Sequence, residues 1–537
     1  MSHMIRVQDC RFVFAVSLAL ASALAQTPQV NDWDTLSEQG TEAFNRGAYA
    51  DSERRQLSAL AMAEKFTPSD DRLATSLSNL GTTYRAQGRY AEADRLYRRA
   101  LELRERSFGP EDPQVAIVVN NLATLYHAEG KWAAAEPLFR RALAIWEKNP
   151  GSNDQHVAAA LNNLAGIYRA TGRYAEAEPL YRRALAIFEK VFGPEDVNVA
   201  LVLSNLGVLY QNEGKYDAAS QLHKHALAIR ERTLGPDHPD VAAALSNLGD
   251  VYRSQWRMAD AQPLYERAVT IREKSLGPNH PQLAESLERL AVLYKSQQRY
   301  SETGQLLQRA LRIDEKTLGP AHPRTATALN NLGQLAAAQG KYADAKQLYG
   351  RAISIWEKAL GPGHPDLAPG LINLATLYQS HHKYAEAEAL YQRAMRIEEA
   401  HLGPVHSAIA TNLNNLATVA YHRHRHGESE ELYRKSIAMF EQTLGPATPA
   451  LADPLLNLAA LYISEHRFAD AAPLFKRALP LREAALGPLH PKLADAIESY
   501  AMVMRKLEEY AEAEKLQAQA TRIRVRTALR ADTEAGA

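Results

Sequence analysis

Leucine, glycine, tyrosine and alanine recur through this chain on one 42-residue beat, and an asparagine marks the beat in nine of ten units. The row runs Asn79, Asn121, Asn163, Asn205, Asn247, Asn331, Asn373, Asn415 and Asn457, with Arg289 in the slot that lacks it. A fixed period of this length predicts a solenoid, whose units bury their apolar faces only by stacking on neighbours. One array then replaces the several domains that 537 residues would otherwise suggest. A solenoid offers a long surface rather than a catalytic pocket, so the expectation turns to binding.

Residues 72–113 serve as the unit. Leu77, Leu80, Gly81 and Tyr84 fall at i, i+3, i+4 and i+7, one face of a helix. Gly88 ends that helix as a C-terminal cap. A second helix starts near Ala91, with Ala93, Tyr97 and Ala100 on one face. Gly109-Pro110 closes it, since glycine supplies a turn the helix cannot make and proline forbids continuation. The closing loop recurs as Leu-Gly-Pro-x-His-Pro, for example at 234–239 and 276–281.

Leu-Gly-x-x-Tyr followed by Ala-x-x-x-Tyr-x-x-Ala resembles the tetratricopeptide repeat. The period exceeds the usual 34 residues of that repeat; the extra residues lie in longer helices and the Gly-Pro loop. Residues 238–281 are similar to the tetratricopeptide domain of kinesin light chain and its bacterial relatives, and the resemblance covers residues from about 70 to 525. It implies an all-α, right-handed superhelical solenoid of about twelve helix-turn-helix units, with the asparagines facing its concave side. It also implies a protein or peptide partner held as an extended segment in that groove, with matching asparagines taking part.

The ends deviate, as caps should. Residues 26–69 read as a degenerate first unit, 70–490 as ten regular units, 491–529 as a capping repeat and 530–537 as a disordered tail. Residues 12–25 are apolar, follow Arg6 and Arg11, and end in Ala23-Leu24-Ala25. That pattern predicts an export signal over residues 1–25, cleaved after Ala25, which would remove the single cysteine, Cys10. The alternative is an uncleaved anchor; either way the repeats are expected outside the cytoplasm, in the periplasm or beyond. A mature chain without a membrane span follows, because 14 residues fall short of the roughly 20 needed.

Asparagine inside a helix costs roughly 0.5 kcal/mol against alanine, so nine of them call for compensation. Two roles are open. Each amide could bond a neighbouring helix and fix the stacking register. Alternatively the amides form a ladder along the groove, donating and accepting as a peptide backbone does. Rungs on the order of 10 Å apart would serve about three residues of an extended segment each. On the resemblance, Asn121, Asn163, Asn205 and Asn247 are the leading candidates. Six residues after each position of the row from Asn79 to Arg289 stand Arg85, His127, Arg169, Gln211, Arg253 and Lys295, so basic residues cluster in the N-terminal half, suited either to an acidic peptide or to solvent. A second basic column, including Arg99, Arg141, Arg183, Arg267, Arg309 and Arg477, is expected to lie over the core and pair with acidic first turns.

The unit at 281–323 departs most, with Arg289 flanked by Glu285 and Glu288 and with Thr303-Gly304 inside the second helix. It reads either as a hinge or switch, or as drift in a tolerant repeat. His382, His424 and His466 replace the capping glycine, and His422 and His426 stand at i, i+4. A metal site would need a third ligand, and none is expected. The loop histidines belong to the repeat signature and read as structural. Balanced charge, 62 basic against 62 acidic residues, gives no case for nucleic acid. No catalytic constellation, cofactor motif or long non-repetitive segment is present, so a non-enzymatic scaffold is expected. Its rivals are a module binding folded partners by its outer face and the non-catalytic subunit of an enzyme. The sequence does not set the oligomeric state.

Overall fold

The computed structural model describes residues 28–67, 70–148 and 154–535. The expected export signal, with Cys10, lies outside the described residues. Twenty-four α-helices and one short 3-10 turn, Pro449–Leu451, make up the described chain, arranged as twelve consecutive helix pairs of a solenoid. The regular pair is Asp71–Ala86 with Tyr90–Phe108, and the last is Pro491–Lys506 with Tyr510–Ala535. That last helix runs through most of the segment expected as a disordered tail.

The core follows the repeating columns. Leu77, Leu80, Tyr84, Ala93, Tyr97 and Ala100 are all buried. Where glycine holds the slot after Leu80, its missing side chain makes room for an aromatic ring. A Cβ on Gly81 would stand 3.0 Å from Tyr97, and one on Gly249 would stand 2.9 Å from Tyr265. Burying such a ring contributes about 2 kcal/mol per repeat.

The turn inside each pair is built one way throughout. The second residue after the first helix takes a left-handed conformation, φ 73° at Gly88, and the next amide closes back on the helix, Arg89 N donating to Tyr84 O at 2.8 Å. His382, His424 and His466 take the same conformation with φ 57°, 60° and 60°, as do Trp256 and Gln298.

The loops between pairs start the next first helix. In His280, His322, His364, His406 and His490 the ring Nδ1 accepts from the amide two residues on, at 3.0 to 3.2 Å. Histidine thus does the work of an N-cap aspartate. Asp112 and Asp196 do it in earlier loops.

Contacts divide the chain into two compact units, residues 28–250 with 259–370, and residues 251–258 with 371–535. Within the first unit the solenoid returns onto itself. A Cβ on Gly47 would stand 2.7 Å from His280 Nε2, and one on Gly88 would stand 3.3 Å from His322 Nε2. Gly130 abuts Pro365. The partners lie 233 to 235 residues apart, so each His-Pro loop sits on the turn of a much earlier pair. His322 shows how: Nδ1 accepts from Arg324 N, and the ring also bonds the Ala86 carbonyl. An acceptor Nδ1 leaves Nε2 as the protonated donor, so one neutral imidazole ties two first helices together. Within the second unit, Trp256 packs edge-on against His490, ring centroids 5.0 Å apart, at the same interval.

Candidate binding surface on the first helices

Asn79, Asn163, Asn205, Asn331 and Asn457 are held by their own amides. Asn163 Nδ2 donates to Asn120 Oδ1 at 3.2 Å, Asn205 Nδ2 to Asn162 Oδ1 at 2.8 Å, and Asn457 Nδ2 to Asn414 Oδ1 at 3.0 Å. Asn79 donates to Ser37 Oγ at 3.3 Å, and Asn331 to Glu288 at 3.5 Å. Each bond runs to the first helix of the preceding repeat, so it sets the stacking register. Such a bond contributes about 1 kcal/mol, enough to offset asparagine's helix penalty. The acceptor is usually the residue just before the preceding repeat's marker asparagine. The sequence carried that signal as the doublets Asn120-Asn121, Asn162-Asn163, Asn330-Asn331 and Asn414-Asn415.

Burial separates the row. Asn163 is fully buried, and Asn205 and Asn247 nearly so, at 3% and 6% exposure. Three of the four leading candidates are therefore enclosed. Asn79, Asn121, Asn331, Asn373, Asn415 and Asn457 are half-buried. Among the described residues, the Oδ1 atoms of Asn79, Asn205, Asn331 and Asn457 accept no hydrogen bond.

The basic residues after the asparagines, Arg85, Arg169, Arg253 and their equivalents His127 and Lys295, occupy the last turn of their first helices. Exposed carbonyls there favour a cation whatever else it does. Arg85 bonds the Tyr97 hydroxyl, and Lys295 Nζ donates to Gln334 Oε1 at 2.5 Å. The second basic column pairs differently from expectation. Arg141, Arg183 and Arg267 each stand 2.7 Å from Glu105, Glu147 and Glu231, at the end of the preceding second helix rather than in a first turn. The 36-residue spacing brings neighbouring second helices side by side, which a single-helix pattern does not show.

At Arg289 the ladder turns ionic. Arg289 pairs with Asp250 and, at 3.1 Å, with Glu285. Asp250 in turn accepts from the Tyr265 hydroxyl at 2.6 Å. Arg272, fully buried, donates to Gln282 O at 2.7 Å and Ser286 Oγ at 2.9 Å. Glu288 is buried, and desolvation pushes its carboxyl up to about 7 despite Arg324 nearby. The helix Tyr300–Thr317 passes through Thr303-Gly304 without a break. His223 fills a tyrosine slot with a smaller ring, and neither nitrogen has a hydrogen-bond partner; burial holds its pKa at about 4. Sequence reasoning passed over His223, although it breaks its column, and marked Glu288 only as a neighbour of Arg289.

The histidines of the last repeats stack rather than converge. Tyr384 lies flat on His422 with centroids 5.1 Å apart, and Tyr421 packs against His426. No cluster of three or more metal-binding side chains forms among the described residues.

A tetratricopeptide repeat family model matches residues 35–106, 72–148, 156–232, 198–274, 255–302, 287–358, 336–400, 408–484 and 450–524. The chain belongs to the tetratricopeptide repeat family. Among solved structures this tetratricopeptide repeat protein is similar to BtubC (BKLC) from P. vanneervenii, 29% identical over 47% of this chain and 94% of that one, with a TM-score of 0.34. It is similar too to a kinesin-light-chain-like protein of Podosopora anserina with nearly identical TPR-like repeats, at 28% identity over 37% of this chain and 94% of that one, TM-score 0.31. No curated protein matches it by sequence. Tetratricopeptide repeat proteins bind protein partners, and the fold is generally a non-catalytic scaffold. No described helix is long and apolar enough to cross a membrane.

Proposed function

We propose that this chain is a non-enzymatic scaffold that holds an extended segment of a protein partner along its row of first helices, outside the cytoplasm. One observation carries the binding part. The amides of Asn79, Asn331 and Asn457 are anchored through Nδ2, remain half-buried, and keep Oδ1 without a partner among the described residues. An anchored carbonyl oxygen with its position fixed is a ready acceptor for a backbone N–H, and fixing it beforehand lowers the entropy cost of binding. The changing residues three and six places further on, such as Thr82 and Arg85, would read side chains.

A peptide array on the purified chain tests this. Asn457→Ala removes both functions of the amide, whereas Asn457→Asp keeps the acceptor and loses the donor. Ala is expected to weaken peptide binding about five- to tenfold, the worth of one hydrogen bond. Asp is expected to keep affinity while lowering the melting temperature. Peptides that bind Asn79→Ala, Asn331→Ala and Asn457→Ala as tightly as wild type would remove the clamp. Export rests on the N-terminal sequence, and the mass of the secreted protein checks it: an intact Met1 or Met4 terminus argues against cleavage after Ala25.

A further inference from the structure

Loop-on-turn packing in the first unit uses neutral, compact partners. The turn offers glycine, at Gly47, Gly88 and Gly130, and the loop offers histidine and proline behind Asn279, Ala321 or Gly363. His280, Pro281, His364 and Pro365 are buried there.

Loops and turns that stay exposed differ from these in a paired way. The loops at 109–113, 193–197 and 235–239 carry Glu111, Glu195 and Asp237 where the docked loops are neutral, and all three are exposed. Just ahead of two of them stand Phe108 and Phe192, 45% and 42% exposed. Docked loops carry half-buried leucine at that place, Leu276, Leu318 and Leu360. The exposed turns of the second unit replace glycine by His382, His424 and His466. Each of these rings packs on the aromatic residue two places on, Tyr384, His426 and Phe468. Arg423 and Arg425 flank the middle one, both paired to Glu388. The acids are paired within their own chain as well, Glu111 with Lys148 and Glu195 with Arg232, at surface positions where such pairs contribute little.

We infer that the histidine-rich turn edge of one copy receives the acidic, phenylalanine-bearing loop edge of a second copy. The contact repeats between molecules the loop-on-turn packing that the first unit makes within itself. Imidazole N–H groups would donate to the loop carboxylates, and Phe108 and Phe192 would lie on the turn aromatics. Loop edge and turn edge are different surfaces, so the contact is head-to-tail, and each copy keeps one edge open for the next. This inference stands apart from peptide binding on the first helices.

Two surface variants of the full chain test it. Variant L carries Glu111→Lys, Glu195→Lys and Asp237→Lys; variant T carries His382→Glu, His424→Glu and His466→Glu. Sedimentation velocity at low salt, up to about 0.2 mM chain, suits a small polar contact. Wild type is expected to exceed the 59.5 kDa of one chain in a salt-sensitive way, and L and T alone to sediment as single chains. An equimolar mixture of L and T restores the native histidine–acid pair of edges and also sets the lysines of L against the glutamates of T, so it is expected to associate beyond one chain. Circular dichroism melts confirm that both variants fold. Wild type that stays at one chain throughout overturns the inference. So does association that L and T retain unchanged, or a mixture of L and T that stays unassociated.

Discussion

The turns at Gly47, Gly88 and Gly130 and those at His382, His424 and His466 share one backbone. All six residues are left-handed, with φ between 57° and 73°. Only the first three are covered by a loop from a distant repeat, and only those three are glycine. In the first unit glycine serves twice at the covered turns, whereas in the second unit Trp256 holds the same left-handed place and packs its own ring on His490. The glycine relieves the left-handed strain, and it leaves room for an imidazole or a proline ring. At the exposed turns of the second unit histidine tolerates the strain and presents its ring to solvent, while Gly340 in the first unit keeps glycine with nothing within 4 Å. The loops show the matching difference, with neutral Asn279, Ala321 and Gly363 where they dock and Glu111, Glu195 and Asp237 at the same place where they do not.

The largest expected effect tests the covered side. Gly130→Ala puts a methyl against Pro365 and strains the backbone, and should cost about 2–4 kcal/mol. Gly340→Ala, with φ 73° and nothing within 4 Å, should cost only about 1 kcal/mol. Equal losses in melting temperature for the two would erase the distinction between covered and open turns.

Acid should act on the same contacts. Burial, helped by Arg324, depresses the His322 imidazole to about 4 in the folded chain, against 6.5 for an ordinary histidine. Between those values the unfolded chain takes a proton that the folded chain refuses. The stabilisation is therefore full above pH 6.5 and is lost as pH falls through about 4, on the order of 3 kcal/mol. His322→Asn keeps a cap without titrating, and its melting temperature should fall less steeply over that window. A variant as acid-sensitive as wild type would place the effect elsewhere.

A smaller contrast separates two caps. His364→Ala removes both a cap and a docked ring and should cost about 1–2 kcal/mol. His238→Ala removes a half-exposed cap and should cost about 0.5 kcal/mol. The smallest effect belongs to the open edge. His424→Gly should change stability by less than about 1 kcal/mol, because relief of strain is offset by a freer unfolded chain. A loss well beyond that would mean the histidine edge is a structural contact within the chain.

Much of this molecule was legible from spacing. Leu77, Gly81, Tyr84, Ala93 and Tyr97 repeat what helix periodicity requires, and Gly88 and Gly109 stand where helices end. The candidate site was legible in position but not in bonding. Nothing in the spacing of Asn205 says that its amide turns to Asn162, because that depends on how two first helices roll against each other. The second basic column failed for the same reason. Arg141 meets Glu105 only because consecutive second helices lie side by side.

The sequence by itself determined a helix-pair solenoid with capped ends and left-handed turns, because those follow from local sterics and a 42-residue apolar period. Tertiary structure alone decided which turns are covered. Gly130 meets Pro365 through the rotation accumulated over several repeats. That rotation is set by small packing angles between neighbouring helices, and no local pattern encodes their sum.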